Sequence, residues 1–319
     1  MKKIKVAVVG VGNMGRHHAR IYSQLNNVDL VAVSDLDAKK GQEIAKKYKT
    51  KFYRDYRELL DKEKLEAISV VVPTQYHELV ACDFLKRKVS VLLEKPISDN
   101  LTSARRIIKT ARENDSFLAV GYIERFNPAV VKLKEMIKRG KLGEIISLLA
   151  RREGGFPSQI GDSNVVLDLA VHDIDIMNYL LEEKPVKVFV HKEKFHSRIQ
   201  EDAGEIFLEY KKASGFVQVN WVTPIKIREL CVTGTKGYVH LNYISQELIN
   251  YRAKIKKELS DFVELIRFSE PEFTKIAVKK EEPLKLEIKS FLRAISGKKT
   301  ALVDGEGALE SLKTCLAEV

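Results

Sequence analysis

The sequence predicts two domains of different class. Residues 1–121 read as an α/β domain with a doubly wound parallel sheet, and residues 122–319 as an α+β domain with a mostly antiparallel open sheet. Three observations predict this. A β-branched apolar run, Ile4-Lys5-Val6-Ala7-Val8-Val9, meets a glycine-rich turn and passes at once into helical periodicity. Short apolar runs then alternate with amphipathic stretches as far as Gly121. From Tyr122 that alternation stops, and short strand-like segments joined by hairpin signals take over.

The first strand ends on Gly10-Val11-Gly12-Asn13-Met14-Gly15, a helix follows from Arg16 to Leu25, and a second strand, Leu30 to Ser34, ends on Asp35. Strand, G-x-G-x-x-G, helix, strand and terminal acid form the dinucleotide-binding fingerprint of a Rossmann domain. Gly10 allows the sharp turn, Gly12 carries no side chain to block a pyrophosphate, and Gly15 lets the helix lie close to the sheet. With Asn13 and Met14 these glycines make the candidate phosphate loop, at a helix N-terminus that favours anions. Asp35 stands roughly 20 residues past the glycines, where an acid binds the adenosine ribose hydroxyls. A carboxylate there repels a 2′-phosphate, and Ser34-Asp35-Leu36 brings no arginine to hold one, so NAD is favoured over NADP.

The rest of the first domain reads as helix 38–48, strand 51–53, helix 55–61, strand 67–72, helix 76–87, strand 89–93, helix 102–114 and strand 117–120. Ligands belong at the carboxyl ends of such strands, where Thr74, Lys95 and Tyr122 fall beside Gly15 and Asp35. In the second domain a helix, 128–138, leads to a strand, 145–152. A loop, 154–164, then precedes a helix, 165–181, and strands follow at 186–194, 204–210, 215–222, 228–233, 237–242 and 246–251. One face of this sheet is expected to carry the helices. The charged stretch 253–273 fits a lid, an arm or a loosely ordered segment, and helices are expected again at 283–296 and 304–319.

Composition bounds the function. At 319 residues two domains are natural, and no run approaches 18 uninterrupted apolar residues, so no membrane partner is expected. The N-terminus lacks the pattern of a signal peptide. Cys82, Cys231 and Cys315 are few and far apart, form no metal pattern and fit a reduced cytoplasm. The formal charge is +11, of which residues 1–120 carry +8, but the lysines are scattered on helix faces among acids. Without an aromatic basic stripe, nucleic-acid binding is not expected, although a positive field draws in anionic ligands.

Two further constellations carry chemistry. Glu94-Lys95-Pro96 puts a lysine at a strand end, where its ammonium can bond a substrate hydroxyl and favour a developing alkoxide; taken alone, it also reads as a surface lysine. Asp168 and His172 lie four apart and share a helix face. A neutral histidine suits proton removal from an alcohol, with Asp168 orienting substrate or raising its basicity and Asp175 holding the other ring nitrogen. The same residues also fit a polar helix with a satisfied histidine.

Gly10-x-Gly12-x-x-Gly15, Pro73-Thr74-x-x-His77, Glu94-Lys95-Pro96 and Asp168-x-x-x-His172 together resemble the Gfo/Idh/MocA oxidoreductase family, the glucose–fructose oxidoreductase and inositol dehydrogenase group, over nearly the whole chain. The resemblance implies hydride transfer between NAD(P) and a carbinol carbon of a sugar or polyol. It implies Lys95 and His172 as the catalytic pair with Asp168 beside them, and adds Thr74, His77, Glu94 and Lys95 to the cofactor contacts. It also implies a cis Pro96, a C-terminal helix packed back on the Rossmann domain, and a homo-oligomer, dimer or tetramer, formed through the antiparallel sheet.

Gly121-Tyr-Ile-Glu-Arg-Phe-Asn-Pro128 and Asn220-Trp-Val-Thr-Pro-Ile-Lys-Ile-Arg228 look like segments of UDP-N-acetylglucosamine 3-dehydrogenases. That likeness implies an NAD-dependent enzyme making a 3-keto nucleotide sugar. Glu124, Arg125 and Asn127 would join Lys95, Asp168 and His172 around the sugar, although Arg125 also fits a cap or a brace at the domain junction. Lys226 and Arg228 fit either a diphosphate contact or structural pairing on a strand. Two rivals stay open: the same chemistry on a free sugar or inositol, and a non-catalytic NAD-sensing regulator.

Overall fold

The computed structural model describes residues 3–156, 163–252 and 271–317. Most of the stretch left open by its sequence, 253–273, lies outside them. The chain divides into two compact units, one holding Met1–Ile123 and Glu282–Leu316, the other Glu124–Gln159 and Asn164–Glu281.

The first unit is a six-stranded, all-parallel sheet of β1 (Ile4–Val9), β2 (Val28–Ser34), β3 (Lys51–Tyr53), β4 (Ala67–Val70), β5 (Ser90–Glu94) and β6 (Leu118–Gly121), in the order β3-β2-β1-β4-β5-β6. The helices between them are α1 (Gly15–Ser23), α2 (Ala38–Tyr48), α3 (Tyr56–Lys62), α4 (His77–Lys86) and α5 (Leu101–Glu113). Acceptor side chains begin several of them: Asp37 takes the Lys40 N–H and Asn100 the Ser103 N–H. Because β1 leads to β2 on one side and β4 lies on the other, the order reverses at β1/β4. The loops after these two strands therefore flank the ligand crevice of this sheet type.

Pro283–Ala294 and Gly305–Leu316, both helical, complete this unit. Leu284, Ile288, Phe291 and Leu292 share one core with Val6, Val8, Tyr22 and Leu92. Each such buried side chain contributes about 1.5–3 kcal/mol.

The second unit is an eight-stranded sheet in the order β14-β13-β12-β11-β7-β10-β9-β8, antiparallel except where β10 runs parallel to β7. Its strands are β7 (Ile145–Glu153), β8 (Lys187–Glu193), β9 (Ala203–Glu209), β10 (Ser214–Asn220), β11 (Ile227–Gly234), β12 (Gly237–Asn242), β13 (Glu247–Arg252) and β14 (Glu272–Lys275). Charge without alternation had hidden β14. Helix α6 (Pro128–Lys138) packs on β12 and β13, and α7 (Val171–Leu181) on β7 and β10. Leu148, Ile206, Val217, Leu230, Val239 and Leu248 are buried on the strands. A row in register, Phe189-Phe207-Phe216-Leu149-Cys231-His240-Ile249-Lys275, takes one residue from each strand; its first four members are exposed.

Where one helix was expected over 165–181, the chain forms a π-helical turn, Val166–Ala170, before α7. The Asn164 carboxamide caps the Leu167 N–H, and the wider turn holds one residue more than an α turn.

Candidate active site

In the first unit the glycines behave as their spacing demands. Gly10 has φ +83°, and a Cβ on Gly15 would lie 1.8 Å from the Gly10 carbonyl oxygen. A Cβ on Gly12 would meet nothing within 4 Å, so the loop leaves room there for a phosphate, beside the exposed Asn13 and part-buried Met14. Asp35 Oδ2 accepts the Val11 N–H at 2.7 Å and Oδ1 the Asp37 N–H at 2.9 Å. The acid is thus fixed against the glycine loop with lone pairs left for a ribose. These features fit a dinucleotide. Asp35→Ala is expected to weaken NAD binding about tenfold or more while sparing NADP; a fluorescence titration with both cofactors measures it.

Thr74 opens a 3₁₀ turn, Thr74–Tyr76, at the end of the β4 loop. Lys95 follows β5, and the Lys95–Pro96 peptide is cis. From Val91 to Ser98, Lys95 alone is not buried.

Two expected cofactor contacts take other roles. His77 is buried, with Nδ1 3.0 Å from the Pro96 carbonyl oxygen and Nε2 3.0 Å from that of Val72. Burial lowers its pKa, although both carbonyls oppose that shift. A neutral ring donates one N–H, so His77 bonds one of the two carbonyls and lies buried between the β4 loop and the lysine loop. Glu94 turns inward: Oε2 accepts the Lys95 N–H at 3.0 Å, and Oε1 lies 3.5 Å from His18 Nε2. His18 Nδ1 in turn meets Ser69 Oγ at 3.0 Å, and Tyr22 Oη meets the same oxygen at 2.9 Å. Both neighbours of Lys95 therefore lie against buried histidines.

In the second unit, the run Val165–Met177 is buried except at Asp168 and His172. The π turn and α7 so present an acid and a histidine together out of an apolar helix. Asp175, expected to hold the histidine ring, is instead gripped by Arg125, whose Nε and Nη2 each donate at 2.7 Å. Burial pushes the Asp175 carboxyl up, against the pull of Arg125. The next acid toward His172, Asp173, takes Arg152 Nε at 2.6 Å and Nη2 at 3.0 Å, while Arg152 Nη1 reaches Glu124 at 3.2 Å. Burial alone would lower the Arg152 pKa, but Asp173 and Glu124 outweigh it.

Arg125 is thus committed to α7 as a brace along one edge of its guanidinium. Asn127 is removed from the expected sugar contacts for a firmer reason. It is buried, its Oδ1 caps Ala129, and its Nδ2 donates to the Tyr243 carbonyl and to Glu124. No polar atom is left over for a ligand. Glu124 is part-exposed between Arg152 and Asn127.

Two family models match this chain, one described as an oxidoreductase family with an NAD-binding Rossmann fold over residues 4–122, the other as the GFO/IDH/MocA C-terminal domain over residues 130–240. The chain belongs to the Gfo/Idh/MocA family. It is 31% identical to the UDP-N-acetylglucosamine 3-dehydrogenase of Acidithiobacillus ferrooxidans over 188 residues, 59% of this chain and 58% of that protein. To the inositol 2-dehydrogenase of Rubrobacter xylanophilus it is 29% identical over 192 residues, 59% of this chain and 55% of that one. The match spans a little over half the length of each relative. In fold, the chain superposes on the solved structure of the Acidithiobacillus enzyme with a TM-score of 0.86 at 24% identity, covering 99% of this chain and 96% of that one.

As a Gfo/Idh/MocA protein the chain belongs to an oxidoreductase family and carries its NAD-binding Rossmann fold. Among the described residues, no helix is long and apolar enough to cross a membrane, and no three His, Cys, Asp or Glu are grouped to hold a metal. The sequence carried signals for residues that its motifs do not name. Arg152 continues the inward alternation of Leu148 and Ala150, and Asp173 and Asp175 lie among Ile174, Ile176 and Met177. Charges on faces so apolar must pair with one another.

Proposed function

We propose that this Gfo/Idh/MocA chain is an NAD-dependent dehydrogenase that oxidises the 3-hydroxyl of UDP-N-acetylglucosamine, or a close UDP-sugar, to a 3-keto sugar. The observation that carries the reading is the selective presentation of Asp168 and His172 from an otherwise buried run, matched in the first unit by Lys95. Gly10 to Gly15 and Asp35 would hold NAD, which would supply the hydride acceptor.

His172 takes the hydroxyl proton, and Asp168 supports the imidazolium that results. Lys95 donates to the substrate oxygen and stabilises its developing negative charge. The carbinol thus loses its hydroxyl proton to His172, which passes it to solvent, and bound NAD would accept the hydride. The 31% identical relative named for this substrate favours the nucleotide sugar. The inositol-named relative keeps a free polyol as the second reading.

Mixing the protein with NAD and UDP-N-acetylglucosamine tests the proposal, reading NADH absorbance and the sugar's mass together. A mass loss of two hydrogen atoms with NADH formed is the expected result. Oxidation of inositols or free sugars without any of UDP-N-acetylglucosamine would replace the substrate. No oxidation across a broad sugar panel would favour the regulatory reading.

The aromatic row on the open face of the second unit supports a homo-oligomer in which a second copy covers Phe189, Phe207 and Phe216. Phe207→Lys is expected to shift light-scattering mass toward the monomer. A wild-type monomer at tens of micromolar, or an unchanged variant mass, would remove this face from the role.

A further inference from the structure

Arg228 of β11 stands directly opposite Arg152 of β7 in the ladder. Like charges facing one another across a sheet repel, so each calls for a counter-charge of its own. Arg152 has two, Asp173 and Glu124. Arg228 is held differently: its Nη1 donates to the backbone carbonyls of Glu153 at 2.5 Å and Ile227 at 2.7 Å. Among the described residues no carboxylate forms an ion pair with it. Burial and the neighbouring Arg152 charge push it down to about 10, although Asp173, Asp168 and Glu124 pull the other way.

A guanidinium carries five N–H donors. The two carbonyls occupy Nη1, and the Nε/Nη2 edge keeps the other three. That edge is the planar fork that meets two oxygens of a carboxylate or a phosphate side by side. Directly opposite residues of a ladder share one face of the sheet, so Arg228 lies beside Arg152, which grips Asp173 next to His172 on α7.

We propose that Arg228 is a specificity-determining residue whose Nε/Nη2 edge binds an anionic group of the substrate, phosphoryl or carboxylate, so that the enzyme selects anionic sugars over neutral ones. The proposal rests on the sugar-dehydrogenase reading above and deepens it. Backbone carbonyls anchor one end of the guanidinium, and an arriving anion supplies the counter-charge that Arg228, unlike Arg152, does not have among the described residues. A neutral polyol relieves nothing.

The test compares wild type, Arg228→Gln and Arg228→Lys, all NAD-saturated. The substrates are UDP-N-acetylglucosamine, N-acetylglucosamine 1-phosphate, N-acetylglucosaminuronate, neutral N-acetylglucosamine and myo-inositol. Wild type is expected to prefer one anionic sugar over its neutral counterpart in kcat/KM. Arg228→Gln is expected to shrink that preference about 10- to 100-fold, mainly through KM, with Arg228→Lys intermediate. The phosphate and carboxylate arms identify which anion is read. Calorimetric titration with the same sugars reads the discrimination without turnover, and Arg228→Lys replaces Arg228→Gln if the latter fails to fold.

An equal loss on neutral and anionic sugars, or an unchanged preference, would make Arg228 a structural strand residue and overturn the proposal. So would a wild-type enzyme that works only on neutral sugars, and that result leaves the dehydrogenase reading standing. Arg228-dependent turnover of another anionic sugar, with UDP-N-acetylglucosamine ignored, supports this proposal and removes the UDP-sugar assignment instead.

Discussion

Lys95→Met is expected to lower turnover about 10³-fold while NAD still binds. Met keeps much of the side chain's length and apolar stem but removes the ammonium. The backbone at this point is secured independently of the side chain. Glu94 Oε2 holds the Lys95 N–H, and His77 meets the Pro96 carbonyl. The variant should therefore fold with its loop in place and lose only the positive charge that favours the alkoxide. The measurement is NADH formation under saturating sugar, alongside a cofactor titration by fluorescence. Unimpaired turnover would take Lys95 out of the mechanism. Loss of cofactor binding in parallel would make it chiefly a cofactor contact.

Arg152→Leu is expected to destabilise the second unit by about 3–5 kcal/mol, because it strands a fully buried carboxylate. Asp173 would lose both of its bonds to Arg152, and the Tyr243 ring would lose the guanidinium stacked 4.9 Å from its centre. In a unit of this size that corresponds to a drop in melting temperature of about 10 °C. Adding Asp173→Leu should recover much of it, since removing both charges costs far less than removing one. Scanning calorimetry on the single and double variants decides the matter. A double variant no better than the single would show that Glu124 and Tyr243, rather than the pair itself, hold the arginine. Because Asp173 adjoins His172, the single variant should also lose activity below its melting point.

The parallel sheet was legible because its signals are local. Glycines at 10, 12 and 15 and an acid at 35 report on a single βαβ unit, and the structure joins Asp35 to Val11 across it. The antiparallel sheet was legible through alternation and hairpin turns, but β14 lacked both. Side-chain roles were harder to read, because a motif names a residue without naming its partners. His77 and Asn127 looked like ligands of cofactor and sugar; the structure turns them toward the backbone of Pro96 and Tyr243, partners that neither motif names. Arg125 and Asp175 lie 50 residues apart, and nothing in either segment specifies the other. The inward period of Leu148, Ala150 and Arg152 did announce a buried cation, and with it the need for an acid such as Asp173.

The first unit is discontinuous, and this has a consequence for synthesis on the ribosome. Its sheet is complete once Gly121 has emerged, yet Leu284, Ile288, Phe291 and Leu292, which share the core of Val6 and Tyr22, are made about 160 residues later. At roughly 5–20 residues per second the nascent sheet waits on the order of 10–30 seconds with that apolar surface uncovered. During that interval it is a natural client for chaperones. A nascent chain stalled before residue 283 should be retained by them and digested quickly by protease, whereas one extended past 316 should resist.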